Sequence, residues 1–373
     1  MWRMRTMTRA RLLCAAASVA VLATEVLRAQ APSRQNFDRA VAYVARTDGQ
    51  AVLVMHKGQI VYEAYMDNGG ATRRQLLASG SKSFVGVAAL AAVQDQLLTL
   101  DEHVADIVNE WRDDSLKSRV TVRQLLSLES GVDPGNPGTG CGGAQAMWSD
   151  AIAASAKSIP GTHFAYGPFP FIATGVMLER LLKSESFDAY LERKLLIPLH
   201  IQVEWRARCA DGKPQLAGGA AMTARDWGTF GEFIRLGGVT PSAIGSKRLL
   251  PEQLVSQLFV PSHSNPSYGM SWWLRGATIE AQPALGPNTE IANSTAGPLR
   301  RRMLAQRGRM PTVVPNWIPD DLVMAAGAGK QRLYIMRSRE LVVVRMGRLI
   351  GGNAFQDTEF LQALLVDAPP KTP

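Results

Sequence analysis

The sequence has few of the residues that build metal sites and disulfide-dense scaffolds. Its 373 residues include 3 cysteines and 5 histidines. No C-x-x-C pair occurs, and the histidines, at positions 56, 103, 163, 200 and 263, show no ligand spacing. These absences disfavour a structural zinc site and a disulfide scaffold.

Internal repeats, low-complexity tracts and long apolar runs are also absent. With 46% hydrophobic and 20% charged residues, the composition is that of an ordinary folded protein, which disfavours disorder, collagen and a multi-span membrane protein. The length suits one large domain or two closely packed ones.

The first residues have the pattern of an export signal. Four arginines (Arg3, Arg5, Arg9 and Arg11) precede a short apolar run over residues 12–23, and an A-x-A site ends at Ala31. This pattern predicts a secretory signal peptide over residues 1–31 and a periplasmic or secreted protein. A membrane anchor or a first helix of the fold is the alternative, although the run is too short for a stable membrane span. Cleavage would leave Cys141 and Cys209, either as a disulfide or as two unrelated thiols.

The positive charge of the chain is concentrated in two segments. The formal net charge is +9 and the pI about 9.7. The signal segment holds five arginines against one glutamate, and residues 300–309 hold five arginines and no acid, so the remainder is neutral. A nucleic-acid role therefore has no further support. The second cluster is either solvated, or it contacts an anionic envelope surface or an acidic substrate group.

Strand patterns occur near both ends of the chain, with helical patterns between them. Residues 51–56 and 59–65 flank a Lys-Gly turn and predict a hairpin. Two further strands are predicted at 333–336 and 341–346. Helices are predicted at 36–47, 83–98, 120–128, 171–183, 187–196, 224–236 and 354–365. The order indicates an α+β fold with one antiparallel sheet built from both chain ends (32–75 and 316–373) and a mostly helical inserted part (76–315). An extended arginine-rich insertion is predicted around 276–315.

The motifs of two other enzyme classes give no support to those classes. Residues 138–143 match G-x-G-x-x-G, but a Pro- and Gly-rich stretch precedes them where a dinucleotide site needs a strand. No G-x-S-x-G elbow is present, which argues against an α/β-hydrolase.

The motif that remains is S-x-x-K at Ser79 and Lys82, at the start of a long apolar helix. Positions i and i+3 share a helix face, so the lysine amine can reach the serine hydroxyl. A lysine whose pKa is lowered by burial can take the serine proton. The alternative is a serine-rich helix cap beside a solvated lysine.

Residues 77–84 (L-A-S-G-S-K-S-F) resemble the nucleophile motif of the serine β-lactamase-related family. That family includes class C β-lactamases, D-alanyl-D-alanine carboxypeptidases, family VIII esterases and 6-aminohexanoate-dimer hydrolases. Similar segments follow in the expected order at 98–104, 120–131, 218–226, 268–273 and 332–334. The resemblance implies a β-lactamase/transpeptidase-like fold over residues 37–365.

The resemblance also assigns further site residues. Tyr166 matches the tyrosine of the second motif, and a nearby cationic lysine is expected to lower its pKa; the alternative is a structural tyrosine. Pro168 stands where β-lactamases have a substrate-binding amide. The third motif, K-T-G or H-x-G, falls on residues 325–327, where Gly327 is kept and the cation is absent. The N–H groups of Ser79 and Ala328 would form the oxyanion hole. Trp272, next to Trp273, lines an acyl pocket or belongs to the core.

The implied function is an exported serine hydrolase that forms an acyl-enzyme through Ser79, Lys82 and Tyr166 and needs no cofactor. The cation that would bind a substrate carboxylate and the side-chain amide that would bind the substrate are both missing. Their absence favours small ester, amide or peptide-like substrates over β-lactams. Two alternatives stay open: a β-lactamase or D-alanyl-D-alanine carboxypeptidase that uses other binding groups, and a non-catalytic binding protein with this fold. The sequence does not indicate the oligomeric state.

Overall fold

A computed structural model describes residues 30–136, 141, 143, 145–279, 313–349 and 354–367. Nearly all of the predicted signal segment and the arginine cluster at 300–309 lie outside the described residues, so those two predictions stay predictions. The same holds for most of the extended insertion predicted at 276–315.

The main sheet is antiparallel and joins the two ends of the chain. Its strands are β1 Gly49–His56, β2 Gln59–Tyr65, β6 Trp273–Leu274, β7 Leu322–Gly327, β8 Gln331–Met336 and β9 Leu341–Gly347. They are arranged in the order β2-β1-β9-β8-β7-β6, so the first strand pairs with the last, with Leu53 opposite Val344. The predicted α+β fold is confirmed. Strand β6 comes from the part predicted to be helical and forms one edge of this sheet.

Helices cover both faces of the sheet. On one face lie α1 (Arg34–Ala45) and α9 (Asp357–Leu365), which pack against each other. Helix α7 (Ala224–Arg235) covers the other face and is capped by Thr223, whose side chain accepts from the Asp226 N–H. It lies close to the sheet because Gly231 has no Cβ; an added Cβ would be 2.7 Å from Leu333.

The remaining helices form the inserted part. Their bounds are α2 Lys82–Gln94, α3 Val122–Leu126, α4 Trp148–Ala153, α5 Phe169–Leu182, α6 Phe187–Leu191 and α8 Glu252–Gln257. Helix α2 is buried almost all round, as its apolar sequence predicted. The helix predicted at 187–196 changes after Leu191 into a π-helical turn over Glu192–Leu196.

A small second sheet and a disulfide complete this part. Strands β3 (Gln75–Leu76), β4 (Glu204–Trp205) and β5 (Ala220–Met222) pair in the order β3-β5-β4, and none of them was predicted. Cys141 and Cys209 form a disulfide, which decides between the two alternatives left open for these thiols. Within the described ranges, no helix is both long enough and apolar enough to cross a membrane.

Candidate active site

Ser79 lies in a 3₁₀ turn, Ala78–Ser81, between β3 and helix α2. Ala78 has a φ of 48°, a left-handed conformation that is uncommon for residues other than glycine and occurs often at functional sites. Gly80 packs closely beside it, because an added Cβ would lie only 3.0 Å from the Trp227 ring. This backbone leaves the Ser79 side chain half-buried. No local sequence signal indicated the positive φ of Ala78.

Lys82 is the first residue of helix α2 and is 4% exposed. Its Nζ lies 3.0 Å from Ser79 Oγ and donates to the Ala217 carbonyl at 2.8 Å. Burial lowers the pKa of Lys82 to about 7. The structure therefore brings the S-x-x-K pair together and places the lysine in the interior rather than in solvent. A buried lysine with this pKa is partly neutral at pH 7 and can accept a proton.

Tyr166 lies over the lysine and shares a hydrogen bond with the Ser79 hydroxyl. The centroid of its ring is 4.9 Å from Lys82 Nζ. Burial raises the pKa of Tyr166 to about 12, against smaller lowering effects of the Ser79 hydrogen bond and the Arg332 charge. The expectation that lysine would lower this pKa is wrong in direction, because loss of solvent outweighs the neighbouring charges. Tyr166 is therefore a protonated phenol at neutral pH.

An aromatic cluster lies beside the Ser79–Lys82 pair and consists of Phe164, Tyr166, Tyr268 and Trp273. The Trp273 ring stacks on Tyr166 with 5.6 Å between centroids, and Tyr268 meets Trp273 edge to face at 4.8 Å. Trp273 thus fixes the plane of the tyrosine ring.

Two of the residues predicted to bind substrate, Trp272 and Pro168, are both buried. Trp272 is fully buried and packs between Phe230 and Phe259 in the core, so its neighbour Trp273 is the tryptophan at the site. Pro168 is buried at the start of α5, where its carbonyl accepts from the N–H groups of Phe171 and Ile172.

Gly327 ends strand β7 directly beside the 3₁₀ turn that carries Ser79. An added Cβ would lie 2.0 Å from the Leu77 carbonyl and 3.0 Å from the Ser79 nitrogen, so only glycine permits this approach. Ala325 lies two residues before Gly327 and therefore on the same face of β7. It supplies a methyl group where the family pattern has a cation. Ala328 is exposed and opens the 3₁₀ turn Ala328–Lys330 between β7 and β8.

Sequence reasoning assigned no role to Glu129, which is 5% exposed. Its carboxylate accepts from both the N–H and the hydroxyl of Ser264. This contact ties the segment leading to Tyr268 to the end of helix α3. Across the described ranges, no group of three or more His, Cys, Asp or Glu side chains could hold a metal ion.

Several solved structures have a fold similar to that of this chain. A Bacteroides dorei DSM 17855 protein described as a candidate beta-lactamase matches with a TM-score of 0.67 and 18% identity over 90% of this chain and 100% of its own. EstCE1, a hydrolase with promiscuous acyltransferase activity, matches with a TM-score of 0.64 and 15% identity over 89% and 99%. A family VIII carboxylesterase matches with a TM-score of 0.61 and 14% identity over 90% and 97%.

At these identities the likeness shows a shared fold. No curated protein matches the sequence. The family model described as Beta-lactamase matches residues 35–356, which is most of the chain and includes the S-x-x-K turn, Tyr166 and Gly327. The chain therefore belongs to the Beta-lactamase family, whose members have the fold of serine hydrolases.

Proposed function

We propose that this protein is a serine hydrolase that cleaves ester or amide bonds through an acyl-enzyme on Ser79. The observation that carries the proposal is the 3.0 Å contact between Ser79 Oγ and Lys82 Nζ, whose pKa burial lowers to about 7. A nucleophile within hydrogen-bond reach of a base is the arrangement that activates a serine. A solvated lysine at a helix cap would have neither the burial nor this pKa.

The two proton carriers have different tasks because their pKa values lie far apart. Neutral Lys82 takes the Ser79 proton as Oγ bonds to the carbonyl carbon. Tyr166, with a pKa raised to about 12, begins as a proton donor. It gives its proton to the leaving oxygen or nitrogen as that bond breaks, and it regains one from the lysine ammonium. In the second half of the reaction, water gives a proton to Lys82 and bonds to the acyl carbon. The bond from that carbon to Ser79 Oγ then breaks, Tyr166 gives a proton to Oγ and regains one from the lysine ammonium, and the acid is released.

The developing oxyanion is stabilised by backbone groups. The N–H groups of Ser79 and Ala328 are the two donors, and the close approach of Gly327 to the Ser79 nitrogen supports this assignment. Preorganised donors of this kind usually supply the largest single contribution to acyl transfer.

The substrate class follows from the missing charge. Ala325 has no cation to pair with a substrate carboxylate, and Pro168 has no side-chain donor for a substrate amide. The aromatic cluster adds apolar side chains beside the Ser79–Lys82 pair. We therefore propose neutral esters or simple amides as substrates, in preference to β-lactams or D-alanyl peptides.

A labelling experiment tests the proposal. A fluorophosphonate probe is expected to modify the folded protein at Ser79 and to leave Ser79→Ala unmodified. Turnover of a short-chain p-nitrophenyl ester is then compared with that of a chromogenic cephalosporin. Cephalosporin hydrolysis without esterase activity would reverse the substrate assignment, and a wild-type protein that takes no label would indicate a binding protein instead.

The pH dependence of the reaction gives a second test. For ester turnover, kcat/KM should rise with pH on a limb with an apparent pKa near 7, because only neutral Lys82 accepts the serine proton. A limb near pH 4 to 5 would point to a carboxylate base and contradict the assignment.

We further propose that the protein is exported to the periplasm or secreted. The support is the basic, apolar and A-x-A pattern of residues 1–31 together with the Cys141–Cys209 disulfide. Disulfides persist mainly in oxidising compartments. Mass measurement of the protein recovered from the host's culture medium and periplasm tests this, since cleavage after Ala31 gives a defined mass.

A further inference from the structure

Two buried guanidinium groups hold the turn between β7 and β8. Arg332 and Arg345 are opposite each other on β8 and β9, and both are fully buried. Their Nη1 groups donate at 2.8 to 3.3 Å to four carbonyl oxygens of the turn. Arg332 contacts the carbonyls of Gly327 and Gln331, and Arg345 contacts those of Gly329 and Lys330.

Burying two guanidinium groups side by side costs free energy, and the packing of the sheet does not require it. Asp357 accepts from Arg332 through both oxygens, at 2.6 and 3.1 Å. For Arg345, no ion pair is found among the described residues, and its Nε has no hydrogen-bond partner there. Burial and the Arg332 charge lower the pKa of Arg345 to about 10. Two buried cations against one carboxylate is a local violation of the rule that buried charges are paired, and such violations concentrate at functional sites.

A single peptide bond links the Gly327 carbonyl, which Arg332 contacts, to the proposed oxyanion hole. The carbonyl of Gly327 and the N–H of Ala328 belong to the same peptide unit, and this unit is planar and trans. The N–H therefore points away from the carbonyl that Arg332 holds. A charged donor on the carbonyl fixes the plane of the peptide and polarises it, so the N–H at its other end becomes a stronger donor.

We propose that Arg332 is a positioning residue that orients and polarises the Ala328 N–H for the oxyanion. This inference rests on the proposed hydrolase function. Arg332 never touches substrate; it acts through the 327–328 peptide, and Asp357 holds the guanidinium in place. Its charge also acts on Tyr166, where it offsets part of the rise in pKa that burial causes.

Arg345 supplies a matched control. It has the same burial, the same charge and the same turn as its neighbour, but it donates to the carbonyls of Gly329, Lys330 and Thr47. Replacing either arginine by lysine keeps a cation and removes the planar fork. Only Arg332→Lys should alter the peptide that carries the Ala328 N–H.

The test measures the inhibition constant of a phenylboronic acid, which forms a tetrahedral adduct on a nucleophilic serine and places an oxygen where the oxyanion develops. This constant does not depend on the fraction of protein that is active, so a general loss of folded enzyme leaves it unchanged. In Arg332→Lys it should rise about tenfold, and kcat for a p-nitrophenyl ester should fall by a similar factor with KM nearly unchanged. In Arg345→Lys the inhibition constant should stay within about twofold of the wild-type value.

An unchanged inhibition constant in folded Arg332→Lys, or an equal rise in both variants, would overturn the inference. If Arg332→Lys does not fold, Asp357→Asn replaces it, because loss of the carboxylate charge loosens the guanidinium; a rise of about threefold is then expected, and no rise would overturn the inference. Wild-type protein without Ser79-dependent turnover would overturn the proposed function and this inference together. Wild-type turnover with no effect of Arg332→Lys would overturn this inference alone.

Discussion

Replacing Lys82 by methionine should abolish hydrolysis and also make the protein more stable. The lysine pKa falls from 10.5 to about 7 on burial, so at neutral or lower pH the folded protein carries an unfavourable contribution of about 5 kcal/mol from this residue. Methionine has similar length and carries no charge. It leaves the Ala217 carbonyl without the donor that now lies 2.8 Å away, which costs about 2 kcal/mol. The expected net gain near pH 7 is about 3 kcal/mol.

The sign of the pH dependence follows from proton binding. Between pH 7 and 10.5 the unfolded chain keeps the Lys82 proton and the folded chain has lost it, so wild-type stability rises with pH through this group. Below pH 7 both states hold the proton, and the penalty is constant. Lys82→Met lacks this contribution, so its advantage over wild type should shrink by about 2 kcal/mol between pH 7 and pH 9.

Urea unfolding followed by tryptophan fluorescence, at pH 6, 7, 8 and 9 with the disulfide intact, measures both quantities. Ser79→Ala is the matched control: it is also inactive but keeps the buried lysine, so its stability should follow the wild-type pH dependence. Titrations of other groups are common to all three proteins and cancel in the differences. A Lys82→Met protein whose advantage is the same at pH 7 and pH 9, or that is less stable at both, would refute the argument from burial.

Three further perturbations test separate parts of the site and fold. Gly327→Ala places a methyl group 2.0 Å from the Leu77 carbonyl and should lower kcat/KM at least about 100-fold, whereas Gly70→Ala, with its nearest contact at 3.7 Å, should retain activity in the same assay. Ala325→Lys restores a cation to the third motif and should lower KM for a carboxylate-bearing ester about tenfold relative to its neutral counterpart; an equal effect on both esters would exclude charge recognition. The paired substitution of Cys141 and Cys209 by serine opens a link across 68 residues and should cost about 4 kcal/mol in urea unfolding, while an unchanged midpoint would show that the disulfide does not restrict the unfolded chain.

Patterns with a clear period could be predicted from the sequence. The hairpin at Gly49–His56 and Gln59–Tyr65 has both a turn signal and β-rich flanks, and the helix at Ala224–Arg235 has a capping threonine and apolar residues at helical spacing. Strand β6 has only two residues, Trp273–Leu274. A strand that short has no period of its own, so it depends on the partner strand that the fold brings to it.

The two adjacent tryptophans show why the site was harder to predict than the fold. Trp272 lies just before β6 and packs on Phe230 and Phe259, whereas Trp273 begins the strand and stacks on Tyr166. Both are buried tryptophans, so residue type and hydrophobicity do not distinguish them. The choice depends on which face of β6 is turned toward Tyr166, and that is set by the pairing of Trp273 with Met324 on β7, a contact between segments about 50 residues apart in the chain.

The error on Tyr166 has a related cause and changes the chemistry. A sequence reveals which charges are near one another in a motif, and the lysine suggested a lowered phenol pKa. It does not reveal how much solvent the fold removes, and for both Tyr166 and Lys82 burial is the first cause of the shift. Burial always disfavours the charged form, so the same environment raises one pKa and lowers the other. With a pKa near 12, Tyr166 holds its proton at neutral pH. With a pKa near 7, Lys82 has a neutral form that can accept a proton. In the proposed mechanism, one apolar enclosure would therefore set Tyr166 as the acid and Lys82 as the base, with no need for a carboxylate at the site.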